Sequence, residues 1–150
     1  MKTIELKRAG LEDLDLLIPL FEAYREFYQQ SPNPVAARHF LRDRILADES
    51  VIFTAQTGDV KTIGFVQLYP IFSSTRMKRL WLLNDLFVDK GFRQMGIAER
   101  LIQKAQEYAM ATKSAGLILE TGRDNLPGNS LYIKCGFHKD QEHNYYHWST

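Results

Sequence analysis

Apolar residues along the chain switch between two periods, and the switches mark out its elements. Residues 3–7 alternate as a short strand does. Leu14, Leu17, Ile18, Phe21, Tyr24 and Tyr28 then recur at helical spacing, which predicts a helix with one apolar face. Pro19 lies inside that pattern and has no N–H for the carbonyl of Asp15, so a kink or a restart is expected there. Ser31-Pro32-Asn33-Pro34 ends the element, and a second helix is expected over residues 35–47. Residues 51–56 and 63–72 read as strands joined at Thr57-Gly58-Asp59, and residues 79–88 as a third, strongly apolar strand. In the helix expected over 96–111, Ile97, Leu101, Ala105 and Tyr108 form one face, with Glu99, Gln103, Lys104 and Glu107 in the polar remainder. A buried strand over 117–120, a short helix over 127–135 and a last strand over 145–148 complete the series. The order is strand, two helices, three strands, helix, strand, helix, two strands, which is an α/β domain with a mixed sheet.

The length of 150 residues suits one domain with one core, here spanning 1–150. Its apolar share of 45% and charged share of 25% are ordinary for a globular protein, so disorder is not the default reading. A formal net charge of +1 argues against a nucleic-acid partner held by a broad basic face, yet leaves room for a local phosphate pocket. Cys135 is the one cysteine, which excludes an intramolecular disulfide and a cysteine zinc cluster. The start Met1-Lys2-Thr3-Ile4-Glu5-Leu6 has no apolar signal core, and no later stretch is long and apolar enough for a bilayer. A cytoplasmic address with no membrane partner is the expectation.

The chemistry concentrates in Leu83-Asn84-Asp85-Leu86-Phe87-Val88-Asp89-Lys90-Gly91-Phe92-Arg93-Gln94-Met95-Gly96-Ile97-Ala98, where a strand runs through a loop into an amphipathic helix. The first amides of a helix lack internal partners and sit in positive potential, which matches a diphosphate. Gly96 and Ala98 are small where backbone must approach phosphate oxygens, and Arg93 adds a cation. A Walker loop is excluded because Ile97, not lysine, follows Gly96. Gly91 and Gly96 do not provide the Gly-x-Gly-x-x-Gly of a dinucleotide fold. Taken alone, the segment is equally an ordinary helix start in which Gly96 relieves packing.

Arg93-Gln94-Met95-Gly96-Ile97-Ala98 resembles the Gln/Arg-x-x-Gly-x-Gly/Ala motif of the GNAT (Gcn5-related) N-acetyltransferases. Asn125-Leu126-Pro127-Gly128-Asn129-Ser130-Leu131-Tyr132-Ile133-Lys134-Cys135-Gly136-Phe137 is similar to that family's second cofactor segment, an asparagine before a short helix that bears Leu-Tyr and ends in Gly-Phe. The resemblance spans essentially the whole chain, in the family's order. It implies a mixed, mostly antiparallel sheet with splayed central strands flanked by helices, acetyl-CoA as co-substrate, a primary amine of a small molecule as acceptor, and a homodimer; the alternatives are a protein lysine or N-terminus as acceptor, or a catalytically silent CoA-binding regulatory module.

The resemblance also implies roles. Backbone of Leu86, Phe87 and Val88 would pair with the pantetheine arm, and amides of Gln94, Met95, Gly96, Ile97, Ala98 and Glu99 would hold the diphosphate beside Arg93. Asn125 would bond the pantetheine or steady its helix, and Lys134 would reach the 3′-phosphate or stay a solvated lysine. Tyr132 resembles the family tyrosine that protonates the departing thiolate; otherwise it is a half-buried core tyrosine. Asp85 is placed to accept the amine proton, directly or through water, or to bond a loop or bulge; Glu120 is a second acid on the opposite face from Leu117 and Leu119. The diamine-type members carry Leu-Glu-Asp where this chain has Leu83-Asn84-Asp85, so Asn84 orients a water or amine rather than taking a proton. Tyr24 and Tyr28 are read as core or pocket wall, and Tyr69 and Phe72 as pocket residues before a loop. His138, His143 and His147 lack the spacing and cysteine support of a metal site, so none is expected, and Cys135 is expected to be packed rather than nucleophilic.

Overall fold

A computed structural model describes residues 3–150. They hold five strands, β1 (Ile4–Arg8), β2 (Val51–Thr57), β3 (Thr62–Ser73), β4 (Lys78–Val88) and β5 (Leu117–Ile118). The helices are α1 (Leu14–Phe27), α2 (Pro34–Leu46), α3 (Ile97–Ala111) and α4 (Leu126–Lys134). The sheet runs in chain order from β1 to β5, antiparallel throughout except for the parallel pair β4–β5. That parallel pair needs a crossover, and α3 supplies it. Two compact units result, Met1–Glu120 with the sheet and Thr121–Thr150 with α4.

All of β2 is buried, as is β3 from Thr62 to Leu68, because helices cover both sides of the sheet. Phe21 and Tyr24 of α1 set their rings 6.0 and 5.6 Å from that of Phe65. On the opposite face a Cβ at Gly64 would lie 3.1 Å from Leu101 Cδ1 and 3.2 Å from Ile97 Cγ2. Glycine at 64 is thus what lets α3 come down onto β3.

The β3–β4 ladder slips by one residue. Leu83 pairs with Leu68 and Asp85 with Gln67, so Asn84 is an extra residue on β4. Side chains alternate along a strand, and an extra residue reverses the faces beyond it. Before the bulge, the Trp81 ring packs 5.2 Å from Tyr108 of α3 and its indole N–H donates to Thr112 Oγ1 at 2.9 Å. After it, Phe87 packs 5.6 Å from Tyr24 and 6.2 Å from Phe27 of α1. Asp85 and Phe87 therefore face α1, although Trp81 and Leu83 face α3.

Three expectations need correction. Of the kink or restart expected at Pro19 the restart does not occur: α1 runs through it as one helix, with Leu17, Ile18, Leu20 and Phe21 buried on either side. Strand β5 stops at Ile118 rather than 120, because only Leu117 and Ile118 find partners on β4. The strands expected after α4, including 145–148, do not form. Tyr145, Tyr146 and Trp148 are exposed, Trp148 by 87%. Asp140 instead gathers the local donors, accepting from Glu142 N–H at 2.8 Å and from the Tyr145 hydroxyl at 3.1 Å, with His143 Nδ1 at 2.8 Å. The backbone bond from Glu142 comes first among the causes that hold this carboxyl down, at about 2. Alternation without a neighbouring strand does not make one.

Ahead of α1, buried Asp13 accepts from Lys7 Nζ at 2.7 Å and from Gly10 N–H at 2.8 Å. Burial alone would raise its pKa, but these two bonds outweigh it and hold the carboxyl below the ordinary range. A lowered native pKa contributes stability that is present above the unfolded value near ~3.9 and is lost as pH falls through the native value. The stability gap between wild type and Asp13→Asn, followed by urea unfolding, is expected to close as pH is lowered through that window. Gly64→Val is expected to destabilise by about 1–3 kcal/mol, because α3 must shift to make room; thermal unfolding reads this directly.

Candidate active site

Strand β4 has β3 along one edge for its whole length, but on the other edge β5 accompanies it only at Trp81 and Leu82. From Leu83 to Val88 that second edge opens, as the resemblance implies for splayed central strands. The chain then turns into α3. Asp89 starts the turn by accepting from Gly91 N–H at 2.9 Å, a backbone bond that holds its carboxyl below the ordinary range; Lys61 Nζ adds a contact at 3.3 Å. Gln94 and Gly96 both take left-handed backbone, with φ of 61° and 73°. Nothing lies within 4 Å of a Cβ built at Gly96, so its conformation, not crowding, calls for glycine.

Gly96 caps α3 without a side chain. The first backbone bond of the helix runs from Arg100 N–H to Gly96 O, which leaves the amides of Ile97 and Ala98 ahead of it. A fifteen-residue helix with open space at its glycine cap fits the diphosphate of acetyl-CoA. Arg93 stands at the same corner. Its Nε donates to Val88 O at 2.9 Å, and its guanidinium lies 5.3 Å from the Phe87 ring centre and 5.9 Å from that of Phe27. It thus ties the loop to the end of β4 and holds a positive charge there.

On the α1 side of the sheet a polar cluster surrounds Asp85. The carboxylate is only 6% exposed. Its Oδ2 accepts from Gln67 Nε2 at 2.7 Å and its Oδ1 from Asn84 Nδ2 at 3.1 Å. Ser50 donates in turn to Gln67 Oε1 at 2.7 Å. Burial first, then the Asp85 charge, pushes the pKa of the Tyr24 phenol well up. Tyr69 is raised in the same order of causes, partly offset by the Arg44 charge. Both phenols are therefore protonated at neutral pH.

The first unit therefore brings together Tyr24, Tyr69, Asn84, Asp85, Phe87 and Arg93. Tyr28 sits on the outer side of Tyr24, ring centres 5.2 Å apart, and is 57% exposed. Phe72, expected beside Tyr69, lies on the opposite face: it pairs with Arg79, whose guanidinium stacks over both Phe72 and Trp81. Glu120 is exposed. Gln67 and Ser50 went unread in the sequence. A single glutamine in the apolar run from Ile63 to Phe72 was the available signal, because such a residue must find partners once buried.

In the second unit Asn125 caps α4, its Oδ1 accepting from Gly128 N–H at 3.3 Å while its Nδ2 donates to Thr121 Oγ1 at 2.9 Å. Tyr132 is half-buried, with its ring edge-on to Phe137 at 5.8 Å. Lys134 is exposed in the last turn and Cys135 is partly buried at the cap that follows.

Residues 17–137 match the acetyltransferase (GNAT) family. The chain is 40% identical over 137 residues to the uncharacterized N-acetyltransferase YhfO of Bacillus subtilis (strain 168), covering 91% of each. A crystal structure of a probable acetyltransferase superposes with a TM-score of 0.93 at 39% identity, over 97% of each chain. The aminoglycoside N-acetyltransferase AAC(6')-Iy, crystallised in complex with CoA, shares the fold with a TM-score of 0.82 at 18% identity, over 100% of this chain and 97% of that one. The splayed β4 edge, the glycine-capped α3 and these likenesses converge: the chain belongs to the GNAT family and is an acyl-CoA-dependent N-acetyltransferase.

Proposed function

We propose that this enzyme acetylates the primary amine of a small molecule, by direct attack within a ternary complex with acetyl-CoA. The observation that carries the reading is the buried Asp85 carboxylate on the α1 face, walled by Tyr24, Tyr69 and Phe87. A fixed negative charge among aromatic rings suits one compact amine head group.

Acetyl-CoA, when bound, supplies the activated acetyl group. Amides of residues 94–99 hold the diphosphate, with Arg93 adding charge, and backbone of Leu86, Phe87 and Val88 aligns the pantetheine along the open edge of β4. A backbone N–H near Phe87 or Val88 polarises the carbonyl to be attacked. Asp85 receives the proton that the amine gives up and Asn84 helps to orient that amine; the family resemblance gives Tyr132 the protonation of the departing thiolate. Tyr24, Tyr28 and Tyr69 line the acceptor side.

Purified protein is expected to release coenzyme A thiol with acetyl-CoA and one class within a panel of polyamines, amino acids, aminoglycosides and lysine peptides. Turnover confined to the peptides, or none at all despite tight acetyl-CoA binding, would overturn the small-amine reading. Tyr132→Phe is expected to lower kcat by about 10²-fold while acetyl-CoA affinity, read by calorimetry, stays unchanged.

A further inference from the structure

We propose that Gln67 is a positioning residue for acetyl transfer: braced by Ser50, it holds the Asp85 carboxylate in its charged, proton-accepting form. This rests on the reading above, that Asp85 is where the amine proton ends.

A hydrogen-bonded line crosses three neighbouring strands on the α1 face. Ser50, immediately ahead of β2, donates to Gln67 Oε1 of β3 at 2.7 Å, and Gln67 Nε2 donates to Asp85 Oδ2 of β4 at 2.7 Å. Ser50 and Asp85 are 6% exposed, and Gln67 is fully buried. The line ends at a charge.

Its direction follows from chemistry. An ionised carboxylate only accepts hydrogen bonds, so the Gln67 amide turns its NH₂ to Asp85 and its oxygen away. That buried oxygen then needs a donor of its own, which is the Ser50 hydroxyl. Turned over, the amide would set its oxygen against the carboxylate. A donor held against the charged form of an acid favours that form.

Asn84 does not do the same work. It is exposed on the bulge and reaches Asp85 Oδ1 at 3.1 Å, so it is free to swing aside as an amine arrives. Gln67 has no room to swing. Its donor stays on Oδ2, which leaves Oδ1 as the oxygen that takes the proton. Stability does not call for such a line, because apolar side chains of matching shape can replace a buried hydrogen-bonded pair at little cost. Tyr24 of α1 and Tyr69 of β3 are the titratable groups that feel the Asp85 charge, and Tyr28 of α1 and Arg44 of α2 act on those phenols. Both phenols stay protonated through the range in which a carboxylate titrates.

The test follows two readouts against pH in wild type, Gln67→Met, Ser50→Ala and Ser50→Thr. One is kcat/KM for the amine that the panel identifies, and the other is the carboxyl carbon resonance of Asp85 by NMR, which needs no substrate. Methionine matches the length of glutamine and lacks its donor. Gln67→Met is expected to move the acid limb and the NMR midpoint to higher pH by about one unit, and to lose about 10-fold in kcat/KM below that limb, with acetyl-CoA affinity retained. Ser50→Ala, which leaves Gln67 in place, is expected to move both the same way by less, and serves where Gln67→Met does not fold. Ser50→Thr keeps the hydroxyl and is expected to match wild type. An unmoved midpoint in Gln67→Met and Ser50→Ala overturns the proposal, as does a fall in kcat/KM that is equal at every pH. Asp85→Asn separates the two readings. If it is as fast as wild type, the proposed role of Asp85 falls and the positioning role with it. If it is slow while the Gln67→Met midpoint stays put, the positioning role alone is overturned.

Discussion

The one-residue slip between β3 and β4 is the constraint on which the active site depends. Leu83 pairs with Leu68 and Asp85 with Gln67, so Asn84 bulges. An unbroken ladder would have kept Asp85 on the face of Trp81 and Leu83, beneath α3. There a carboxylate would sit among the side chains of Ile97, Leu101 and Ile102, each 2% exposed or less. A charge buried without partners costs several kcal/mol or forces the group neutral. The slip moves Asp85 to the α1 face, where Gln67 and Asn84 supply donors. It also turns Phe87 toward Tyr24 and Phe27, so one irregularity places both the charge and its aromatic wall.

A second constraint is the early end of the β4–β5 pairing. Two paired residues, Trp81 and Leu82, suffice to bring β5 into the sheet, and β5 pairs with no residue of β4 from Leu83 to Val88. The helix that follows β4 begins at a glycine in left-handed conformation, so its first amides meet no capping side chain. The carbonyl of Val88 is taken by Arg93, which joins the strand edge to the helix start. Strand edge and helix terminus are thus two places where ordinary secondary structure leaves hydrogen-bonding capacity unspent.

Much of the fold was legible in the chain. The helical recurrence from Leu14 to Tyr28, the apolar runs of β2, β3 and β4, and the amphipathic face of α3 all report local periods that burial preserves. Arg93 to Ala98 announced the helix start, and Asn125 announced the cap of α4. The C-terminal aromatics misled, because alternation at Tyr145–Trp148 states only which residues would share a face if a partner strand were present. Pro19 does not divide α1, since the burial of its neighbours outweighs one missing hydrogen bond.

The site was legible as a list of residues and not as an arrangement. Sequence alone determined the element order, the glycine-led helix start and the presence of an acid at 85 beside an asparagine at 84. Tertiary structure decided which way that acid points, because a bulge belongs to the pairing of two strands and leaves no mark in the period of either. It decided that Phe72 and Tyr69 part company across the sheet, and that Gln67, unremarked in an apolar run, is tied to Asp85 and Ser50. Periodicity along a chain encodes faces, whereas partners across a sheet are chosen only when strands from distant parts of the chain take their register.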